Sequence, residues 1–150
     1  IVNGLVGSEM CIRDRKRGLP PFLINDPGLN SGLMILQYTS ASLVSANKQL
    51  AAPSSIDSIT SSNGQEDHVS MGANGANQLR DIINNLYEIF AIELITAIQA
   101  KEFNNHKTSD LIDEFISTVR KIHPKISSDR VFHNDINKVS KFLKKNRRVA

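Results

Sequence analysis

Residues 63–72 read Asn-Gly-Gln-Glu-Asp-His-Val-Ser-Met-Gly, a tight polar knot between two stretches of helical pattern. Its four central side chains, Gln65, Glu66, Asp67 and His68, are the candidates for chemistry in this chain. A carboxylate at this place can accept a proton or hold a cationic ring. On a helix, successive residues lie about 100° apart, so at most one or two of the four reach a common ligand. A plainer reading is also open. Acidic residues in the first turn of a helix are favoured by its dipole, by about 0.3–1 kcal/mol each. The same dipole keeps such a carboxylate ionised.

Other chemistries lack their residues. His68, His106, His123 and His133 do not have metal-ligand spacing, and no His-Glu-x-x-His or Cys-x-x-Cys run occurs, so no metal is expected. No Gly-x-Ser-x-Gly elbow supports serine-hydrolase chemistry. Gly72-Ala-Asn-Gly75-Ala-Asn is a short tandem, expected to let a helix start close to a neighbour. Glu93, inside Ala-Ile-Glu-Leu-Ile, is expected to face a polar partner across an interface, because a buried charge without one is costly.

The elements that must position the knot are helical. Gly18–Asn30 is a connector in which Pro20, Pro21 and Pro27 forbid a regular helix. Asn30 or Ser31 is then placed to cap a helix running to about Gln49. From Pro27 to Asn47 no residue carries a formal charge, and Leu33, Met34, Ile35, Leu36, Tyr38, Leu43 and Val44 point all round the axis. A helix without a charged face is expected to be buried on all sides, in this case by other chains or by further sequence. Ser62 with Gln65, or Asn63 with Glu66, fits a capping box opening a second helix to about Phe103. Leu79, Ile82, Ile83, Leu86, Phe90, Leu94, Ile95 and Ile98 keep its 3.6-residue period. A third helix is expected from Thr108 or Ser109 to about Ile122, with Leu111, Ile112, Phe115, Ile116 and Val119 inward and Pro124 as its stop. A fourth opens at Asn134 or Asp135 and turns Ile136, Val139, Phe142 and Leu143 inward. No segment alternates like a strand. The expected fold class is all-α, an elongated helical bundle.

The 150 residues suffice for one domain with a core, and 40% are apolar. The single Cys11 excludes an internal disulfide framework. No run of 18 or more apolar residues is present, so no membrane span is expected, and a cytoplasmic setting is the default. Charge is uneven. Residues 1–119 hold 8 basic and 13 acidic side chains; residues 120–150 hold 10 basic and 2 acidic. The tail Lys144-Lys145-Asn146-Arg147-Arg148 reads as a solvated helix end and not as a nucleic-acid site, because no aromatic residues interleave it. Residues 1–15 have no helical or strand period and are read as a foreign segment, leaving 16–150 as the structural part.

Three runs resemble the C-terminal part of the histidine ammonia-lyases. They are Lys16–Gln37, with Gly-Leu-Pro-Pro-Phe-Leu and Gly28-Leu-Asn-Ser-Gly-Leu-Met; Ser54–Gly72, with Gln-Glu-Asp-His-Val-Ser-Met-Gly; and Ala91–Ala100, Ala-Ile-Glu-Leu-Ile-Thr-Ala-Ile-Gln-Ala. The resemblance implies the helical fold shared with fumarases and aspartases, a homotetramer, and conversion of L-histidine to trans-urocanate and ammonia. It also implies a methylidene-imidazolone (MIO) electrophile formed from an Ala-Ser-Gly triplet. That triplet does not occur in this chain, which is therefore expected to be a fragment, inactive alone. The resemblance carries one catalytic residue over, Glu66, beside the substrate's imidazole as base or as orienting partner. Gln65, Asp67 and His68 match the same motif and are assigned to capping and support around the substrate. The related phenylalanine and tyrosine ammonia-lyases place glutamine where Glu66 stands, so Glu66 favours histidine over another aromatic amino acid. The competing expectation is a helical oligomerisation module without catalysis.

Overall fold

A computed structural model describes residues 18–66, 68–104 and 106–146; the segment read as foreign lies outside them. Among the described residues four α-helices follow in order: α1 (Met34–Leu50), α2 (Gly72–Lys101), α3 (Asp110–Arg120) and α4 (His133–Lys145). Single 3-10 turns at Pro21–Leu23, Ser54–Ile56 and Ser62–Gly64 punctuate the connectors. Among the described residues there is no strand, only the isolated bridges Pro27–Asn30 and Ser61–Glu66. The all-α expectation holds.

α2 is the axis of the molecule. Its 30 residues span roughly 45 Å at 1.5 Å per residue. The C-terminal half is enclosed: Ala91, Ile92 and Ile95 are fully buried, with Ile89 and Ile98 nearly so. Around them pack Leu23, Ile24, Leu33 and Leu36 from the connector and α1, Val119 from α3, and Ile136 and Val139 from α4. The period that forecast α2 held along its length, but its apolar stripe is covered at one end only. Leu79 is 57% exposed, and Ile83 and Phe90 are exposed with it.

α1 starts later than its expected caps. The backbone N–H groups of Ser31 and Gly32 both donate to the Asp129 carboxylate at 2.8 Å, and the Asn30 side-chain oxygen accepts from the Asp129 N–H at 3.3 Å. The capping groups are thereby used on a loop 97–99 residues away, and the helix begins at Met34. Those two donors hold the Asp129 carboxyl below its ordinary range. Gly32 is required at this point. Its φ is +52°, and a Cβ would sit 2.6 Å from the Phe22 carbonyl oxygen. In the single chain α1 is covered on one side only, which leaves the expected cover by other chains or further sequence still to be supplied. Leu36, Ser40 and Asn47 are buried against α2, where Asn85 donates to Asn47 at 2.7 Å, but Tyr38 on the other side is 68% exposed. A charge-free surface can be left open in one chain because burial depends on what stands next to it, which the sequence of one chain does not contain.

The third and fourth helices lie close to their expected bounds. On α3, Val119 is buried and Phe115 and Ile116 pack on the core, but Leu111, 79% exposed, and Ile112 do not face inward as expected. The helix is held to α2 at its C-terminal end, where Arg120 donates to the Ile98 carbonyl at 3.1 Å and to Glu102 at 2.8 Å, so its first turn projects beyond the core. On α4, Ile136 and Val139 are buried and Phe142 and Leu143 pack on the core. In the basic tail, Lys144 donates to Asn84 at 3.0 Å and lies 5.4 Å above the Tyr87 ring centroid, which makes it a contact within the fold.

One side chain joins three of these segments. Gln99, fully buried on α2, donates to the carbonyls of Leu23 (3.1 Å) and Ile126 (2.9 Å), and its amide oxygen accepts from the Ile126 N–H at 3.2 Å. It supplies the partners of three backbone groups that the core would otherwise leave unpaired.

Candidate active site

The loop between α1 and α2 presents the polar knot. It is anchored at both ends: Ser54 Oγ donates to Gln78 Oε1 at 2.5 Å, and the Val69 N–H donates to Ser58 Oγ at 2.9 Å. At its tip, Ser61 and Glu66 close a small ring. The Ser61 N–H donates to the Glu66 carbonyl at 2.8 Å, and the Glu66 N–H returns to the Ser61 carbonyl at 3.2 Å. Gly64 and Gln65 donate to Ser61 and Ser62 inside that ring, both at 3.1 Å.

This geometry corrects the expected capping boxes. Neither Ser62 nor Asn63 caps a helix; both lie at left-handed φ, +50° and +58°, inside the turn. The Glu66 N–H is committed to Ser61, so the chain cannot start a helix there. α2 begins instead at Gly72, after Met71 at φ +50°, with no side-chain cap and no acidic residue in its first turn. Glu66 therefore stands on a closed turn ahead of the helix, and the dipole argument for it does not apply. What fixes its backbone is the double hydrogen bond. Left-handed non-glycine residues cost of order 1–3 kcal/mol each and gather at functional sites. In this loop Ser62, Asn63 and Met71 bracket Glu66.

Gln65, Glu66 and His68 are all exposed in the single chain, and Asp67 lies outside the described residues. No side-chain hydrogen bond links Gln65, Glu66 or His68 to one another among the described residues. Its described part offers acceptors and an imidazole, all exposed, on a hydrogen-bonded loop. Glu93 is half-buried and forms no ion pair among the described residues. Among those residues no group of three or more His, Cys, Asp or Glu side chains could hold a metal, and no helix is long and apolar enough to cross a membrane.

A titratable group that sequence reasoning passed over lies elsewhere. The His123 side chain is fully buried just past α3, and neither ring nitrogen has a hydrogen-bond partner among the described residues. Nδ1 is 3.5 Å from Asp135 Oδ1 on α4, and the other Asp135 oxygen accepts from Arg130 Nε at 3.0 Å. Burial pushes the His123 pKa below its ordinary value of 6.5; Arg120 and Arg130 push the same way and Asp135 opposes them. The signal was its place four residues after Val119, in line with the inner stripe of α3 but past its end. Because the unfolded chain takes up a proton near its ordinary pKa of about 6.5 while folded His123 resists it, stability should fall as pH drops below about 6.5. Urea midpoints at pH 7.5 and 5.5 test this, and His123→Leu should flatten the difference. An equal drop in both proteins would assign the pH effect to other groups.

Comparison with known proteins places this geometry in a family. The family model for aromatic amino acid lyases matches residues 8–121, starting inside the segment read as foreign. Histidine ammonia-lyases of Bacillus mycoides (strain KBAB4) and Bacillus anthracis (strain A0248) are each 45% identical over 139 residues, 92% of this chain. The chain spans 28% of the length of those relatives. The crystal structure of histidine ammonia-lyase from Trypanosoma cruzi matches with a TM-score of 0.88 at 38% identity, over 96% of this chain and 29% of that one. Tyrosine aminomutase from Streptomyces globisporus matches at 0.85 and 31% identity, over 96% and 28%. Ergothionase from Treponema denticola, at 23% identity and a TM-score of 0.86, shares the fold. The family model covers most of the chain and the helical architecture agrees with it, and the chain belongs to the aromatic amino acid lyase family.

Proposed function

We propose that this chain is the C-terminal portion of a histidine ammonia-lyase, and that the whole protein deaminates L-histidine to trans-urocanate and ammonia. One observation carries the reading. In a chain 45% identical to histidine ammonia-lyases, an exposed carboxylate is presented on a hydrogen-bonded turn and forms no ion pair among the described residues. A carboxylate on a fixed backbone suits an imidazole: it accepts a ring N–H and favours the cationic form, as base or as orienting partner. A neutral amide gives no such attraction, so the substrate class assigned is histidine rather than phenylalanine or tyrosine. Gln65, Asp67 and His68 are assigned to the substrate's surroundings.

The MIO electrophile belongs to a part of the protein that contains Ala-Ser-Gly. No residues of this chain can form it. The missing walls of the site and the covers for the open sides of α1 and α2 are assigned to that part and to other copies in a homotetramer. A cytoplasmic setting goes with the reading.

The test is complementation. Residues 16–150 are co-expressed with the remaining part of the Bacillus mycoides relative, and urocanate absorbance is followed. Each part alone should be inactive and the co-purified complex active. A soluble complex without activity would overturn the lyase reading in favour of a non-catalytic helical module.

A further inference from the structure

α3 and α4 meet through Phe115 and Phe142, whose ring centroids are 6.2 Å apart, and beside that contact an open groove of about 530 Å³ runs between them. Leu111, Ile112, Phe115 and Thr118 form one wall, and Phe142 and Asn146 the other. The two flanks carry opposite charge. On α3, Glu114 lines the groove's edge with Asp110 one turn before it, and on α4, Lys138, Lys141 and Lys145 follow one another at helical-turn spacing. All five are outside the buried core, and none forms an ion pair among the described residues.

We propose that this groove is a self-docking surface, occupied by the same α3–α4 unit of a second copy of the chain. A twofold axis running along the groove lays α3 of each copy over α4 of the other. The acidic flank then meets the lysine flank twice, and the apolar residues between them leave water together. Such a patch complements itself, which a twofold contact demands and a chance apolar patch does not supply. The exposure of Leu111 at the projecting end of α3 has a use in this arrangement. Helices of 11 and 13 residues offer a face about 16–20 Å long and about 20 Å wide. That places the contact in the weak class, below about 1,200 Å² in total, and its reliance on exposed charge makes it salt-sensitive. The surface shares no residue with the Glu66 turn or the open sides of α1 and α2.

Sedimentation velocity of the full chain over a concentration series tests the proposal. Asp110→Lys with Glu114→Lys should weaken dimerisation about tenfold or more, and so should Lys138→Glu with Lys141→Glu. All four changes together should restore it, because the complementary charges have exchanged places. Association through α1 or α2 would ignore every one of these changes. A dimerisation constant unmoved by either swap would overturn the proposal, as would loss on both swaps without recovery in the combined variant. Slowed hydrogen exchange over Leu111–Thr118 only when the remainder of a longer lyase is supplied would also overturn it, by giving the groove to that part.

Discussion

Glu66→Gln in the complemented enzyme should lower kcat/KM for histidine by about 30- to 1,000-fold, the equivalent of about 2–4 kcal/mol for a charge-assisted contact in a closed site. Glutamine keeps the shape and one acceptor oxygen but carries no charge to favour an imidazolium. Glu66 lies on an exposed turn, so the variant should fold and associate as the parent does. A loss of activity with unchanged assembly would therefore report on the substrate contact. Separate kcat and KM values add a readout that misfolding would not give: loss of a substrate contact changes them with the amount of assembled enzyme unchanged. An unchanged kcat/KM would remove Glu66 from the site while leaving the family assignment intact.

Gln99→Leu should destabilise the fold more than His123→Leu or Glu66→Gln, costing about 3–5 kcal/mol. It leaves the Leu23 and Ile126 carbonyls and the Ile126 N–H without partners in a dry core, each orphaned group costing about 1–3 kcal/mol, offset in part by relaxation. Against a total stability of about 5–15 kcal/mol, that is a large share. Thermal melts should show the midpoint falling by roughly 6–20 °C at 2–4 °C per kcal/mol for a chain of this size. Hydrogen exchange should quicken first around Leu23 and Ile126, well before the α1 contacts of α2. A midpoint within a degree or two of the parent would mean that water reaches these groups and replaces the amide.

The helices were legible because apolar periodicity is local. Ile95 and Ile98 on α2 and Ile136 and Val139 on α4 were read inward and are inward. The reading went wrong where a local rule had two outcomes. Ser62 and Gln65 satisfy a capping-box pattern, yet Ser62 took a left-handed turn and α2 began eight residues after Gly64. Leu111 and Ile112 fit the inner stripe of α3, but nothing local says that the first turn runs past the core. The polar links were out of reach for another reason. Gln99 meets Leu23 across 76 residues and Asp129 meets Ser31 across 98, and no pattern in a short window encodes such pairs. At the candidate site, Glu66 was legible as part of a motif. Its turn geometry was not, because the helix expected there gave way to the Ser61–Glu66 ring.

The Asp129 and Gln99 links have a consequence for how the chain comes apart. Both tie the stretch before α1 to the stretch between α3 and α4, so the polypeptide is clasped near its two ends like a belt around α2. A protease nick in the loop after His123 would loosen more than the last helix. It would also undo the buckle that fixes where α1 begins, and damage at one extremity would be felt at the other.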